Sequence, residues 1–381
     1  MTFSNKISIS GKVIFLLIAL MILTLIVSFL IEPGSNYNSY TYLVTFLILF
    51  YCRPISNTSI YLFAIIIVYS LAYDIDYLSS RLGYMLTFSL TCITLYVFPG
   101  LKLTKITEKQ SLKFVTFLCY SIVGFYYFTS TLAENIGSTR YYLKGFIIPH
   151  QFAYFMSIFA YFFLKRGKYF LGVIPVLYTL YVGTRTGLVL ISFIIMAHLY
   201  SKRKSINIKS LARVVFFIGF SFVLIFSIEN PIRKQLTNTF DLLSISSISI
   251  SSDSQDAADF TSNRNFLAII GLTEIANDGV STSNLIGRGP RSSYGFIEDR
   301  LNWNIWFHND FLEIVFSLGF LHLFLYLYFI YSYSRRTKSK FFLFFVLISA
   351  TTNGFFFYTS FVLIGIHYLA VHKQIHLANY K

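Results

Sequence analysis

The sequence predicts an all-α, polytopic transmembrane helix bundle of about twelve spans, with one long loop on a single face. Three observations predict it. The composition is 55% hydrophobic and only 12% charged, with a mean hydropathy of +0.64, whereas a soluble domain carries about twice that charged fraction. Apolar runs recur at roughly the 17–25 residues that cross a bilayer core. Lysine and arginine crowd into every second connecting segment, as expected of a chain that weaves through a membrane. Together these exclude a soluble multidomain enzyme, a disordered chain and a secreted disulfide scaffold.

The spans fall near 13–31, 37–52, 58–73, 82–99, 111–132, 145–164, 169–183, 186–201, 211–229, 306–333, 341–357 and 358–373. The first follows Lys6 and Lys12. It is too long for the apolar core of a signal peptide and lacks a small-residue cleavage site, so it reads as an anchor. The last two read either as separate spans or as one re-entrant pair. Cys52, Cys92 and Cys119 all sit in apolar runs without a CxxC spacing, and read as small lipid-facing or core residues.

Orientation follows from the basic residues. With the N-terminus placed inside, the inward segments hold 21 of the 31 Lys and Arg and, of the acids, only Glu108. The inner side then sums to +20 and the outer to −5. This asymmetry predicts an even number of spans with both termini cytoplasmic. The net charge of +15 is thus a topology signal that calls for no nucleic-acid partner. Basic runs such as Lys202-Arg203-Lys204 also suit anionic lipid headgroups.

One outer segment, 230–305, is too long for a connector. Its Ser-rich stretch from Leu242 to Asn263, punctuated by Asp253, Asp256 and Asp259, has the composition of a mobile segment. Phe266, Leu267, Ile269, Ile270, Leu272 and Ile275 then recur at helical spacing behind Ser262 or Asn263 as N-cap, predicting an amphipathic helix at the membrane surface. Asn284 to Arg291, with Gly287-Arg288-Gly289-Pro290 at its centre, predicts a tight turn with two arginines. Trp303 and Trp306 mark the interface, and His308-Asn309-Asp310-Phe311-Leu312-Glu313 opens the next span.

Polar groups at the mouth of a membrane helix are costly unless they serve a cavity. Arg185-Thr186-Gly187 heads one inward-running span and His308 to Glu313 another, so both helix N-termini face outward. An N-terminus carries unsatisfied N–H groups and partial positive charge, and arginine matches phosphate oxygens in a bidentate manner. The constellation predicts an outward-facing site for an anionic ligand.

These residues resemble the O-antigen polymerase and O-antigen ligase family of bacterial inner membranes. The resemblance covers about 180–333. It is carried by Thr184-Arg185-Thr186-Gly187, by Arg264 heading a helix in a long outer loop, by Gly287-x-Gly289, and by His308 to Glu313 followed by Leu318-Gly319. The sequence departs from the family at His322, where a small residue is usual. The resemblance implies a GT-C-like glycosyltransferase in three parts: an N-terminal bundle (1–180), a catalytic region with the periplasmic loop (181–340), and C-terminal spans with a cytoplasmic tail (341–381). It implies transfer of a glycan from undecaprenyl diphosphate to an acceptor hydroxyl on the periplasmic face. Membrane lipids and a chain-length regulator would be its other partners.

In that reading Arg185 and Arg264 stabilise the departing diphosphate and His308 deprotonates or orients the acceptor hydroxyl. Arg288, Arg291, Asp310, Glu313 and His150 belong to the substrate-binding set. The leaving group is already good, so no cofactor or metal is called for. Asp74-Ile75-Asp76 has the DxD form of nucleotide-sugar enzymes, but it lies outside, where nucleotide sugars are absent, and a solvated loop accounts for it. His198, His322 and His367 lie in apolar runs and are expected to hydrogen-bond within the bundle. A polymerase extends another lipid-linked repeat, whereas a ligase loads lipid A-core. A flippase, the alternative from another class, predicts internal repeats and midspan charges, and the sequence has neither.

Overall fold

Apolar runs bounded by Gly, Pro or basic residues become helices here, because a chain with few charges satisfies its backbone internally. The computed structural model describes residues 7–31, 78–104, 106–135, 149–182, 184–202, 264–302, 306–352, 354–355 and 360–378. The apolar runs at 37–52, 58–73 and 211–229, the Ser-rich stretch, the DxD and Trp303 lie outside the described residues.

A short strand β1 (Ile7–Ser10) leads into α1 (Gly11–Ile31). Next come α2 (Leu78–Val97), a single 3₁₀ turn at Phe98–Gly100, and β2 (Leu101–Thr104). The two strands pair in parallel, Ile7 opposite Leu101 and Ser10 opposite Thr104, the one departure from an all-helical chain among the described residues. The sequence alone does not predict this ladder. Its supports come from the far end of the chain: Leu103 N–H donates to His372 Nε2 at 3.3 Å, and the Tyr368 hydroxyl donates to the Leu101 carbonyl.

The helices α3 (Glu108–Asn135), α4 (Pro149–Lys165), α5 (Tyr169–Val182) and α6 (Arg185–Lys202) follow. The outer-loop segment forms α7 (Arg264–Asp278), α8 (Thr282–Ile286) and α9 (Ser292–Leu301). The C-terminal part supplies α10 (Asp310–Leu318), α11 (Phe320–Thr337), α12 (Lys340–Thr352) and α13 (Ser360–Ala378). One helical stretch, Glu108–Thr129, is long and apolar enough to cross a membrane among the described residues; the apolar stretches of α1, α2, α5, α6, α12 and α13 are shorter.

Three differences from the sequence reading stand out. The run 306–333 is not one helix: Gly319, at φ 85°, breaks it into α10 and α11. The turn expected at 284–291 begins as a helical turn, α8, capped by Ser281 accepting from Asn284 N–H. The helix α9 occupies residues to which the sequence reading gave no structure. The last two runs form two helices, α12 and α13.

Helices from both halves of the chain share one core. Fully enclosed Phe152, Phe155, Phe159 and Phe162 of α4 lie in the same apolar cluster as Tyr326 and Tyr333 of α11, Phe345 of α12 and Tyr368 of α13. Several buried hydroxyls are satisfied within their own helices, as Thr91 donating to Thr87 O at 3.0 Å and Thr179 to Pro175 O at 2.8 Å. Cys92 and Cys119 are buried, as expected of small core residues. His367 is enclosed between the Tyr333 hydroxyl and Ser339 Oγ, each at 2.8 Å, and His322 Nδ1 meets the Leu318 carbonyl at 2.7 Å. His198 sets its ring edge-on against Tyr169.

Tight turns at Arg166-Gly167-Lys168 and Lys338-Ser339 make successive helices antiparallel neighbours, and α6 begins beside the end of α5. The starts of α4, α6 and α10 therefore gather at the end of the bundle where α5 and α12 finish.

Candidate functional site

Each of the motifs singled out in the sequence has a local reason for its shape. At the start of α6, Thr184 Oγ1 accepts from Gly187 N–H at 3.2 Å, a side-chain N-cap that fixes the helix entry. A Cβ at Gly187 would come within 2.7 Å of Thr179 and 2.9 Å of Ala153. Only glycine lets α6 approach α4 and α5 this closely. Arg185 is thereby held as the first residue of α6, and Arg264 is the first residue of α7. His150 stands in the first turn of α4.

The His308 stretch is built around an N-cap as well. Asn309 Oδ1 accepts from Phe311 N–H at 3.0 Å and Leu312 N–H at 3.1 Å, which starts α10. His308 just before it adopts a left-handed backbone, φ 54°, half-buried with its ring 4.9 Å from that of Trp306. A non-glycine residue held there is strained, and strain of this kind clusters at functional sites. Trp306 is enclosed by the fold and does not stand free at an interface.

Asp310 and Glu313 follow, three residues apart on one face of α10, and both are fully buried. Asp310 Oδ2 accepts from the Phe355 backbone N–H at 2.5 Å and from the Tyr326 hydroxyl at 3.2 Å. Glu313 Oε1 accepts from Ser293 Oγ at 2.6 Å, Ser317 Oγ at 3.0 Å and Tyr84 Oη at 3.2 Å. These hydroxyls come from α9, α10 and α2. The ion pairs among the described residues lie elsewhere: Arg166–Glu108, Arg288–Asp278 and Arg300–Glu274.

The glycine turn locks onto the far end of the same short helix. Arg288 N–H donates to Phe316 O at 3.2 Å and Gly289 N–H to Ser317 O at 3.0 Å. A Cβ at Gly287 (φ 90°) would strike the backbone of Ser317 and Leu318, and one at Gly319 would strike Leu285 and Gly287. The two glycines are the crossing point of two backbones. This crossing places the Arg288 guanidinium 4.2 Å above the Phe316 ring, with Asp278 Oδ2 at 2.5 Å.

Arg291, at φ 65°, is the residue just before α9 and lies 4.5 Å above the Tyr294 ring. Burial and the nearby Glu313 charge push the Tyr294 phenol up, with Arg291 opposing them. Beneath this layer Leu267, Ile297, Phe307, Leu312 and Phe316 form a second apolar cluster, separate from the main core. It glues α7, α9 and the His308 turn to α10. The expected amphipathic helix is real, but its apolar side divides: Leu267 is enclosed, whereas Ile269 and Leu272 point outward.

The structure thus brings Arg288, Arg291, His308, Asp310 and Glu313 together around α10. Arg185 and His150 sit on neighbouring helices of the same bundle end, joined to α10 through α12. Sequence reasoning missed Tyr84, Ser293, Ser317 and Tyr326. Ser317, one helical turn after Glu313, carries a legible signal; Tyr84, 229 residues away, carries none. No protein-family model matches the chain, and no curated protein matches it.

Proposed function

We propose that the chain is a multi-pass glycosyltransferase of the bacterial inner membrane, a GT-C-like bundle of about twelve spans. It polymerises undecaprenyl-diphosphate-linked repeat units of O-antigen or capsular polysaccharide on the periplasmic face. The observation that carries this reading is the docking of two motifs, the arginine-bearing glycine turn and the His308 turn, on one short helix at one end of the bundle.

The opposite end supports the membrane part of the reading. Lys165, Arg166, Lys168, Arg335, Arg336, Lys338 and Lys340 collect there, at the turns between α4 and α5 and between α11 and α12. Apolar side chains also point outward in stripes, Leu321, Phe324, Tyr328 and Tyr331 on α11 and Phe117, Tyr120 and Phe128 on α3. Water disfavours such contiguous faces and lipid accepts them. The termini then lie in the cytoplasm and 230–305 in the periplasm.

In the reaction, the bond between the anomeric carbon and the diphosphate breaks while the acceptor hydroxyl attacks. Arg185 and Arg264 stabilise the charge gathering on the diphosphate, and loss of one such donor typically costs about 10²–10³ in rate. Arg288 and Arg291 hold the donor, with His150 lining the approach. His308, between a strained turn and the positive start of α10, takes the acceptor proton.

The glycan banding pattern of a deletion strain tests the assignment. A single repeat left on lipid A-core, with no ladder, is the result expected of a polymerase. Long chains accumulating on the lipid carrier with bare lipid A-core identify a ligase. Wild-type banding overturns both.

A further inference from the structure

We infer that Glu313 is a positioning residue: its buried carboxylate holds the arginine-bearing outer-loop layer in register on α10 and the bundle. The inference rests on the glycosyltransferase reading for what is being positioned, but the tie itself is read from geometry. One carboxylate oxygen collects hydroxyl hydrogens from Ser293 of α9, Ser317 of α10 and Tyr84 of α2. Three segments meet at one side chain with no exposure to solvent.

Stability alone accounts poorly for this choice. A carboxylate buried without an ion pair among the described residues bears a desolvation penalty, and an apolar side chain of similar volume would often hold such a contact as well or better. The apolar glue between the layers is present already in the cluster of Leu267, Ile297, Phe307, Leu312 and Phe316. What apolar contacts lack is direction. The 2.6 Å hydrogen bond from Ser293 gives α9 a defined facing towards Glu313, and those from Ser317 and Tyr84 at 3.0 and 3.2 Å fix the carboxylate that receives it. That facing sets where Arg291, one residue before the helix, and the Tyr294 ring beneath it stand. Loss of about 1 Å in such placement is enough to cost on the order of 10²-fold in rate.

The test uses the full-length protein in proteoliposomes and two variants, Glu313→Gln and Glu313→Met. Gln keeps an acceptor oxygen; Met keeps the volume and removes the acceptor. Two readouts are taken: hydrogen exchange of the α9 amides, which needs no substrate, and polymerisation of a lipid-diphosphate-linked repeat. Expected are an unchanged or raised unfolding temperature for Glu313→Met and α9 exchange at least tenfold faster, with α11 unaffected. Its kcat should fall about 10²-fold at nearly constant donor KM, and Glu313→Gln should recover most of that loss. Wild-type exchange of α9 in Glu313→Met overturns the inference, whatever happens to turnover. Should Glu313→Met fail to fold, wild-type α9 exchange and kcat in a Tyr84→Phe, Ser293→Ala double variant overturn it. Altered exchange in a protein whose wild type transfers no glycan leaves the tie standing and removes the glycosyltransferase reading.

Discussion

The two ends of the helix bundle bury polar groups in opposite styles. At the basic end, His367 has a hydroxyl at each ring nitrogen, Ser334 Oγ donates to Ser339 O, and Arg336 donates to Tyr96 O. The Ser334 bond closes a turn, whereas His367 ties α13 to α11 and Arg336 ties α11 to α2, with main-chain or neutral side-chain partners throughout; the left-handed residue there, Lys338, is simply the C-cap of α11. At the other end the buried groups are carboxylates, the glycines mark crossing backbones, and Arg291 and His308 take left-handed conformations. A fold that needed only to close its helices could have used the first style twice. The second style concentrates charge and strain around α10, as expected where a protein holds reactive groups against their conformational preferences.

The largest effects should come from the arginines at the charged end. Arg185→Ala and Arg264→Ala are each expected to reduce chain growth by at least about 10²-fold at normal protein level. Lysine at either position should restore little, because a point charge cannot form guanidinium's two parallel bonds. Full activity in both lysine variants would reduce these residues to general electrostatics. Of the same order is His308→Ala, which should lower turnover by roughly 10²–10⁴-fold while binding of the lipid-linked donor persists. Normal polymerisation by that purified variant would exclude His308 as the base.

Smaller effects separate structure from chemistry. Gly319→Ala places a Cβ against Leu285 and Gly287 at φ 85°, with a backbone cost of about 1–3 kcal/mol. It should loosen α8 and the arginine turn, seen as faster proteolysis between α7 and α9 and a parallel loss of activity. His367→Leu, at the other end, should cost about 1–3 kcal/mol through its stranded hydroxyl partners and leave kcat intact. If His367→Leu lowered kcat more than Gly319→Ala, the contrast between the ends would be wrong.

Much of this was legible because the signals are local. The starts of α3, α5, α6 and α12 fall within a few residues of the apolar runs, since Pro, Gly and basic clusters terminate them. The His308 stretch announced itself as polar residues ahead of a span. The break at Gly319 was hidden inside an unbroken apolar run, and its cause is tertiary: the backbone of the Gly287 turn crosses there. The helix α9 lacked a clear apolar period, because Ile297 faces the second cluster nearly alone among enclosed side chains of that helix. Tyr84 could not be connected to Glu313 before α2 was seen beside α10. The sequence did mark both acids, and the structure encloses both on one face of α10.

The central claim is that these two ends face opposite sides of a membrane. Val280, 98% exposed beside α8, and Lys168, exposed in the turn between α4 and α5, report on it directly. In a background with Cys52, Cys92 and Cys119 replaced by alanine, each is changed to cysteine and probed with a membrane-impermeant maleimide after the outer membrane is opened. The account predicts labelling of Val280→Cys in intact spheroplasts, and labelling of Lys168→Cys only after the inner membrane is broken. Labelling of both from the same side, or in the reverse order, would contradict it.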